Sequence, residues 1–236
     1  MIVSKTPLRM SFVGGGSDLP AYYNYDEGAV LSTTIDKYMY IIVNSKFDGN
    51  IRLSYSVTED VDNVDKIKHP IVRNTLKMLE IPGGIEIASM ADIPSKGSGL
   101  GSSSSYAVGL LNALYAHKKN YINREDLGKL ACHVEIDLCK EPIGKQDQYI
   151  AAFGGLNLIR FYSDESVSVE PVICKPEIVD KLQESILIFY TGRTRSASTL
   201  LRKQSKSMDN SLKRTLIKEM VNLAFDLKYI LENEDL

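Results

Sequence analysis

Cysteine and histidine are both scarce in this chain of 236 residues. The three cysteines, Cys132, Cys139 and Cys174, are too few and too odd in number for a disulfide framework. The three histidines have no spacing typical of metal ligands. The sequence therefore argues against a disulfide-stapled secreted protein and against a structural zinc site, and we expect the chain in a reducing cytoplasm.

An excess of basic charge is also missing. Lys and Arg number 28 against 30 Asp and Glu, so the net charge is -2, which does not suit a general nucleic-acid binder. The longest uncharged run, residues 97–116, begins with glycine and serine, so we expect a loop feeding a helix and not a membrane span. Lys5 and Arg9 interrupt any signal-peptide pattern at the N-terminus. We predict neither a nucleic-acid nor a membrane partner, and leave a homo-oligomer open.

The composition is that of an ordinary globular protein, with 44% hydrophobic and 25% charged residues. Hydrophobic periodicity predicts an α+β fold. An Asp48-Gly49 pair indicates a hairpin turn. The predicted strands cover residues 9–13, 29–35, 38–46, 85–90, 156–161, 167–172 and a buried 185–191, and the predicted helices cover residues 71–79, 106–115, 123–139 and 212–231.

The last of these helices has an apolar stripe that needs a partner surface. The stripe consists of Leu212, Leu216, Met220, Leu223, Leu227 and Ile230. Either the helix packs back on the preceding chain through this stripe, or the elements that cover it are missing from the sequence.

The most specific motif is a glycine- and serine-rich segment that precedes the helix predicted from Tyr106. Glycines let successive backbone N–H groups converge, and a helix N-terminus adds a positive dipole end, so together they form a cradle for phosphates. A flexible linker is the competing interpretation, but a linker would not lie between a strand and a helix. The segment matches neither a Walker A loop nor a Rossmann fingerprint. Its predicted ATP-binding residues are Pro94, Gly97, Gly99, Leu100, Gly101, Ser102, Ser103 and Ser104.

Three ordered motifs resemble those of the GHMP kinase superfamily. The G-L-G-S-S run at residues 99–103 resembles its phosphate loop, and E-P-I-G-K-Q-D-Q at residues 141–148 resembles its catalytic loop. T-P-L-R at residues 6–9, followed by G-G-G-S-D-L at residues 14–19, is similar to its first motif. The resemblance implies a small-molecule kinase that uses ATP and Mg²⁺.

The resemblance also implies a domain order. An N-terminal, ribosomal-protein-S5-like α/β domain would occupy residues 1–183, and a ferredoxin-like C-terminal domain would begin at residues 184–236. No second glycine-rich loop follows Gly192, so we expect this C-terminal domain to be incomplete.

Four roles follow from the resemblance. Asp147 would be the catalytic carboxylate that orients the acceptor hydroxyl and takes its proton. Arg9 would pair with it and stabilise the reacting oxygen electrostatically. Ser103 and Glu135 would bind Mg²⁺.

The acceptor is expected to be a sugar phosphate. Asp18 would bind sugar hydroxyls, and Gly15 and Gly16 leave room that argues against galactose. Arg193 and Arg195 would hold the distal phosphate of the substrate, with Lys145 as a rival.

Within the superfamily, the motifs look most like the heptose 7-phosphate kinase branch. That branch implies phosphorylation of the anomeric hydroxyl of D-glycero-D-manno-heptose 7-phosphate to the 1,7-bisphosphate, for nucleotide-activated heptose and surface polysaccharide. An L-fucose kinase-like enzyme and a non-catalytic sugar- or nucleotide-binding relative stay open as alternatives.

Overall fold

The computed structural model describes residues 1–93, 98–189 and 211–233. Runs of strands are separated by runs of helices along the chain, as expected of an α+β fold. The strands are β1 (Ile2–Val13), β2 (Gly28–Ser45), β3 (Ile51–Ser54), β4 (Thr58–Val61), β5 (Ile85–Ala91), β6 (Leu156–Phe161) and β7 (Val167–Pro171). The helices are α1 (Pro20–Tyr23), α2 (Pro70–Met78), α3 (Ser102–His117), α4 (Arg124–Cys132), α5 (Gln146–Phe153), α6 (Pro176–Glu184) and α7 (Ser211–Glu232), with a 3₁₀ turn at Val64–Lys66 and a π-helical segment at His133–Leu138.

Backbone contacts divide the chain into two compact units. The first unit comprises Met1–Leu8, Ile35–Glu141 and Asp147–Phe153. The second comprises Arg9–Thr34, Pro142–Gln146 and the described residues from Gly154 onward. Strands β1 and β2 each contribute residues to both units.

In the first unit, β5 lies between β2 and β3. It pairs antiparallel with the second half of β2, with Val43 opposite Ile87, and parallel with β3. The prediction of a turn at Asp48-Gly49 is correct, because Gly49 has a φ of 75°. The prediction that this turn closes a hairpin is wrong, since the strands on either side of it do not pair with each other.

Helix α3 forms the centre of the first unit's core, and most of its apolar side chains are fully buried. Gly109 lets α3 approach β1 closely, because a Cβ there would lie 2.7 Å from Oγ1 of Thr6. At the same contact, Ser4 Oγ donates a 2.8 Å hydrogen bond to the Gly109 carbonyl. At the N-terminal turn of α3, Ser105 Oγ donates a 2.8 Å hydrogen bond to the carbonyl of Pro7, so the serines lie beside β1.

In the second unit, the first half of β2 pairs antiparallel with β6, and β6 pairs antiparallel with β7. Helix α7 packs in the apolar cluster of this unit. The residues it buries are Ile217, Val221, Ala224 and Leu231, whereas Leu212, Leu216, Met220 and Leu223 of the predicted stripe stay exposed. The predicted helix is therefore confirmed. As to the two alternatives left open for its stripe, the four exposed residues stay uncovered within the described chain, whereas Leu227 packs against the cluster.

The buried strand predicted at residues 185–191 is wrong over its described part. Helix α6 occupies the preceding residues, which the sequence analysis left unassigned, and Ser185 caps its end. Leu187 and Phe189 each expose 79% of their surface, and no strand forms at residues 186–189. An apolar run becomes a strand only where a neighbouring strand accepts its hydrogen bonds, and none does so here in the described chain. Among the described residues, no helix has the length and apolarity needed to cross a membrane.

Candidate active site

The glycine- and serine-rich segment ends in a helix N-terminus. Gly99 and Gly101 both adopt left-handed backbone conformations, with φ of 72° and 73°, and Gly101 is the N-cap of α3. The serines from Ser102 onward form the first helical turn, so the helix begins four residues earlier than predicted. The first backbone N–H groups of a helix lack partners within it and lie at its positive end, which suits an anion such as a phosphate. Pro94 and Gly97 lie outside the described residues.

A carboxylate lies directly beneath this turn. Glu135 has no exposed surface, and its oxygens accept hydrogen bonds from Ser103 Oγ at 2.6 Å and Ser104 Oγ at 2.7 Å. The side-chain amide of Gln148 donates a third hydrogen bond at 2.7 Å. Burial raises the pKa of Glu135 above its ordinary value, while these three hydrogen bonds act in the opposite direction. The structure thus brings Ser103 and Glu135 together, as predicted for a shared metal site.

A π-helical segment places this carboxylate. In the helix predicted at residues 123–139, the Asn123 side chain accepts from the backbone N–H of Asp126 at 2.8 Å and so caps the first turn. It changes from α- to π-helical geometry at His133–Leu138, which includes Glu135. Such segments are rare and occur frequently at functional sites. No pattern in the sequence predicted this π-helical segment.

The predicted catalytic Asp147 lies in the first turn of α5. The next residue, Gln148, is fully buried against Glu135, so the helix that carries Asp147 is tied to the carboxylate beneath the serine turn. Sequence reasoning missed Gln148. Its only signal was its place beside Asp147 in the predicted catalytic loop. Its second polar atom, Oε1, is buried without a hydrogen-bond partner in the described chain.

The second unit holds the other predicted polar groups. Asp18 is only 3% exposed. Its Oδ1 accepts from the backbone N–H of Gly16 at 3.1 Å, and its Oδ2 accepts from the backbone N–H of Gln146 at 3.3 Å. Gly16 has a φ of 91°, and the space around the Cβ position of Gly15 is open.

Lys145 is held by acidic and aromatic neighbours. Its ammonium group pairs with the carboxylate of Glu165 and lies 4.8 Å from the ring centroid of Tyr23. The Tyr23 hydroxyl donates to the same carboxylate at 2.9 Å. With its charge balanced by Glu165, Lys145 is a weaker candidate for a substrate phosphate than the sequence alone indicates.

The remaining predicted residues are Arg9, Arg193 and Arg195. Arg9 lies half-buried in β1 and belongs to the second unit, whereas Asp147 belongs to the first, so their pairing stays a prediction. Arg193 and Arg195 lie outside the described residues.

The donor set fits a magnesium ion that is held mainly by nucleotide phosphates. The described residues contain no cluster of three or more His, Cys, Asp or Glu side chains that could hold a metal alone. Ser103 Oγ and Glu135 Oε1 are hard oxygen atoms only 2.6 Å apart. Mg²⁺ keeps several waters and takes one or two protein ligands besides phosphates, so these two oxygens suffice.

The comparisons with known proteins agree with one another. Residues 66–155 match the GHMP kinases N terminal domain. The chain is 31% identical over 214 residues to the D-glycero-alpha-D-manno-heptose 7-phosphate kinase of Campylobacter jejuni, covering 84% of this chain and 62% of that protein. It is 25% identical over 220 residues to the bifunctional fucokinase/GDP-fucose pyrophosphorylase of Arabidopsis thaliana, covering 84% of this chain and 21% of that one. The chain therefore spans less than two thirds of the length of these curated relatives.

A solved structure agrees with this similarity. The crystal structure of a D-glycero-D-manno-heptose 1-phosphate kinase from Bacteroides thetaiotaomicron superposes with a TM-score of 0.75 at 28% identity. The match covers 92% of this chain and 74% of that one. The fold is thus shared over almost the whole of this chain.

Proposed function

Because the chain belongs to the GHMP kinases, we propose that it is part of an ATP-dependent kinase that phosphorylates a hydroxyl group of a sugar phosphate. One observation carries most of the proposal. The Glu135 carboxylate is buried beneath the serine turn of α3 and hydrogen-bonded to Ser103 and to Gln148, the residue that follows Asp147. Phosphate binding, metal binding and acceptor activation are thereby connected through one set of hydrogen bonds.

The residues divide the chemistry among them. Backbone N–H groups at Gly99–Ser104 bind the nucleotide phosphates at the helix N-terminus. Ser103 and Glu135 hold Mg²⁺, which when bound supplies charge neutralisation on the phosphate oxygens. Asp147 orients the acceptor hydroxyl and takes its proton as the new bond to phosphorus forms. Arg9 stabilises the reacting oxygen by its fixed positive charge.

The acceptor is a heptose phosphate in this proposal. Both heptose kinases among the relatives act, by name, on a heptose phosphate, but one name specifies the 7-phosphate and the other the 1-phosphate. We propose D-glycero-D-manno-heptose 7-phosphate as the substrate and the 1,7-bisphosphate as the product. The open space around the Cβ position of Gly15 suits an acceptor larger than a hexose.

An L-fucose kinase-like activity is the second candidate. The similarity to the plant fucokinase over 84% of this chain favours it. The two candidates differ in one chemical respect, because L-fucose carries no phosphate before the reaction.

The test is an ADP-release assay with the chain, Mg·ATP and one acceptor at a time. The acceptors are heptose 7-phosphate, heptose 1-phosphate, L-fucose and D-galactose. We expect turnover with heptose 7-phosphate, and phosphorus NMR should show a new anomeric phosphate in the product. Turnover restricted to L-fucose would replace the proposal with the second candidate. Mg·ATP binding without transfer to any acceptor would favour a non-catalytic relative.

A further inference from the structure

The carboxylate of Asp18 joins two separate loops. Its Oδ1 accepts the backbone N–H of Gly16, in the first glycine-rich loop, and its Oδ2 accepts the backbone N–H of Gln146, the first residue of α5. Hydrogen bonds to an ionised carboxylate are about twice as strong as neutral ones. Both oxygens of this nearly buried group are therefore used to hold backbone.

Gly144 shows how closely the second loop packs on this carboxylate. A Cβ at this position would lie 1.8 Å from Oδ2 of Asp18 and 2.3 Å from its Cγ. Gly144 is not among the glycines with positive φ, so its backbone conformation is open to any residue. Any larger residue at this position would have to displace the carboxylate of Asp18, which occupies the space of a side chain.

The end of the same loop is fixed by a side chain as well. Oε1 of Gln146 accepts a 2.9 Å hydrogen bond from Ser11 Oγ. Ser11 is in turn 3.1 Å from the hydroxyl of Ser32, which donates to the carbonyl of Met10 at 2.9 Å. Pro142–Gln146 is thus anchored at its last residue through both main chain and side chain, immediately before Asp147.

We infer that Asp18 is a positioning residue that fixes the loop leading to Asp147, and that this role accounts for Gly144. The inference rests on the proposed function, in which Asp147 activates the acceptor. This carboxylate is 3% exposed and accepts a backbone N–H on each oxygen, which suits a group that holds two loops together. Misplacing a catalytic group by about 1 Å costs roughly 100-fold in rate, so a residue that fixes the position of this loop has a large effect on kcat.

The experiment compares Asp18→Ala, Gly144→Ala and the double variant in the full chain. We expect each single substitution to lower kcat about 100-fold while the KM for ATP changes little. The double variant should be no slower than Asp18→Ala. Once the Asp18 carboxylate is gone, the methyl group added by Gly144→Ala no longer clashes with it. The melting temperature of the double variant should exceed that of Gly144→Ala for the same reason.

The acceptor dependence separates positioning from sugar binding. With each acceptor that the wild type uses, and with its analogues lacking one hydroxyl, Asp18→Ala should lower kcat by the same factor. If Gly144→Ala does not fold, Asp18→Asn serves instead, because it keeps the shape and turns one acceptor into an NH₂ group that cannot accept a backbone N–H. This variant should lose kcat about 10-fold on every acceptor, an intermediate effect for one lost contact of this kind.

A matched control introduces a similar clash elsewhere. Gly83 also lacks a positive φ, and a Cβ there would lie 2.3 Å from the carbonyl oxygen of Gly49. Gly83→Ala should lower the melting temperature and leave kcat per folded molecule unchanged.

Two results would overturn the inference while the proposed function stands. One is a loss for Asp18→Ala that disappears on an analogue lacking a single hydroxyl, and the other is additive effects of the two substitutions on kcat and on melting temperature. A wild-type chain that transfers phosphate to no acceptor would instead defeat the proposed function itself.

Discussion

The side-chain amide of Gln148 donates a 2.7 Å hydrogen bond to Oε2 of Glu135, and neither side chain has any exposed surface. The carboxylate has two further donors, Ser103 and Ser104, which like Gln148 are neutral. A buried carboxylate surrounded by neutral donors is costly to ionise. Each donor therefore matters both for stability and for the orientation of the carboxylate toward the serine turn.

Replacing Gln148 by Met keeps most of the volume and removes the donor. We expect the free energy of unfolding to fall by about 1–3 kcal/mol, the cost of leaving a buried acceptor with one partner fewer. Urea denaturation measures this change. Thr75→Val is the matched control, because Thr75 is fully buried and its hydroxyl has no hydrogen-bond partner within the described chain. It should be neutral or stabilising, and equal losses in the two variants would contradict the role given to the hydrogen bond.

Gly101→Val should abolish Mg·ATP binding. A β-branched residue at a φ of 73° is strained by about 1–2 kcal/mol, and its side chain blocks the approach of phosphate to the backbone. Calorimetric titration with Mg·ATP measures the loss. Gly49→Val carries the same strain at a φ of 75°, with open space around the new side chain, and should bind Mg·ATP normally. Normal binding by Gly101→Val would show that the segment is not the phosphate cradle.

Asp147→Asn keeps the shape of the side chain and removes its charge. In an active protein, kcat should fall by roughly two to four orders of magnitude, the size of a general-base contribution, with little change in the KM for ATP. Steady-state kinetics measure both constants. Asp126→Asn is the control, since Asp126 also lies in the first turn of a helix and its loss tests the effect on helix stability alone. Near-normal turnover of Asp147→Asn would remove this residue from the mechanism.

His69 gives the stability a dependence on pH. Its ring lies edge-on to Tyr55 and stacks on Tyr106, with 4.9 Å between centroids in each case. Burial lowers the pKa of His69 below its ordinary value, and the nearby carboxylate of Glu59 only partly opposes this. The unfolded chain therefore binds a proton first as the pH falls. The stability that neutral His69 contributes is present above the unfolded pKa of about 6.5 and is lost as the pH falls toward the folded value.

His69→Phe preserves an aromatic ring between the two tyrosines and cannot take up the proton. Between about pH 6.5 and the lower folded pKa, the wild type should lose up to about 1.4 kcal/mol of unfolding free energy per pH unit relative to this variant. Urea denaturation from pH 8 to pH 5 provides the two curves. Parallel curves across that range would contradict the assignment.

Helix α7 should behave differently on its two apolar faces. Leu216 and Leu223 expose 51% and 52% of their surfaces, whereas Ile217 exposes 6%. We expect the chain to bind an apolar dye and to aggregate, and Leu216→Gln with Leu223→Gln should reduce both without loss of stability. Ile217→Ala should instead cost about 2–5 kcal/mol of unfolding free energy. A cooperative, high-temperature melt of the wild type without dye binding would contradict the expectation.

Local patterns predicted most of the elements. The alternation in β5, the helical spacing in α2 and the Asn123 cap of α4 are all short-range signals, and all three elements are present. The pairing of strands is a long-range property. Nothing in the sequence near Gly49 indicated that β5 would lie between β2 and β3, and so the turn was predicted correctly while the hairpin was not.

The residues of the candidate site also differ in whether local sequence could predict them. Glycines and serines at residues 99–104 carry their own conformational signal, and the structure places them at a helix N-terminus. Gln148 and Gly144 carry none, because their importance depends on carboxylates distant in the sequence, Glu135 and Asp18. The face on which α7 packs could not be chosen from the sequence for a related reason, because it depends on which surface of the fold lies against the helix.

The π-helical segment at His133–Leu138 makes this helix sensitive to chain length more than to residue identity. A π-helical turn holds about one residue more than an α-helical turn, so deleting one residue here would let regular α-helical bonding resume and would remove the irregular turn that contains Glu135. A substitution at the exposed Asp137 leaves the number of residues in the π-helical segment unchanged. A one-residue deletion would thus change the geometry of this helix, whereas a point substitution at a neighbouring position would not.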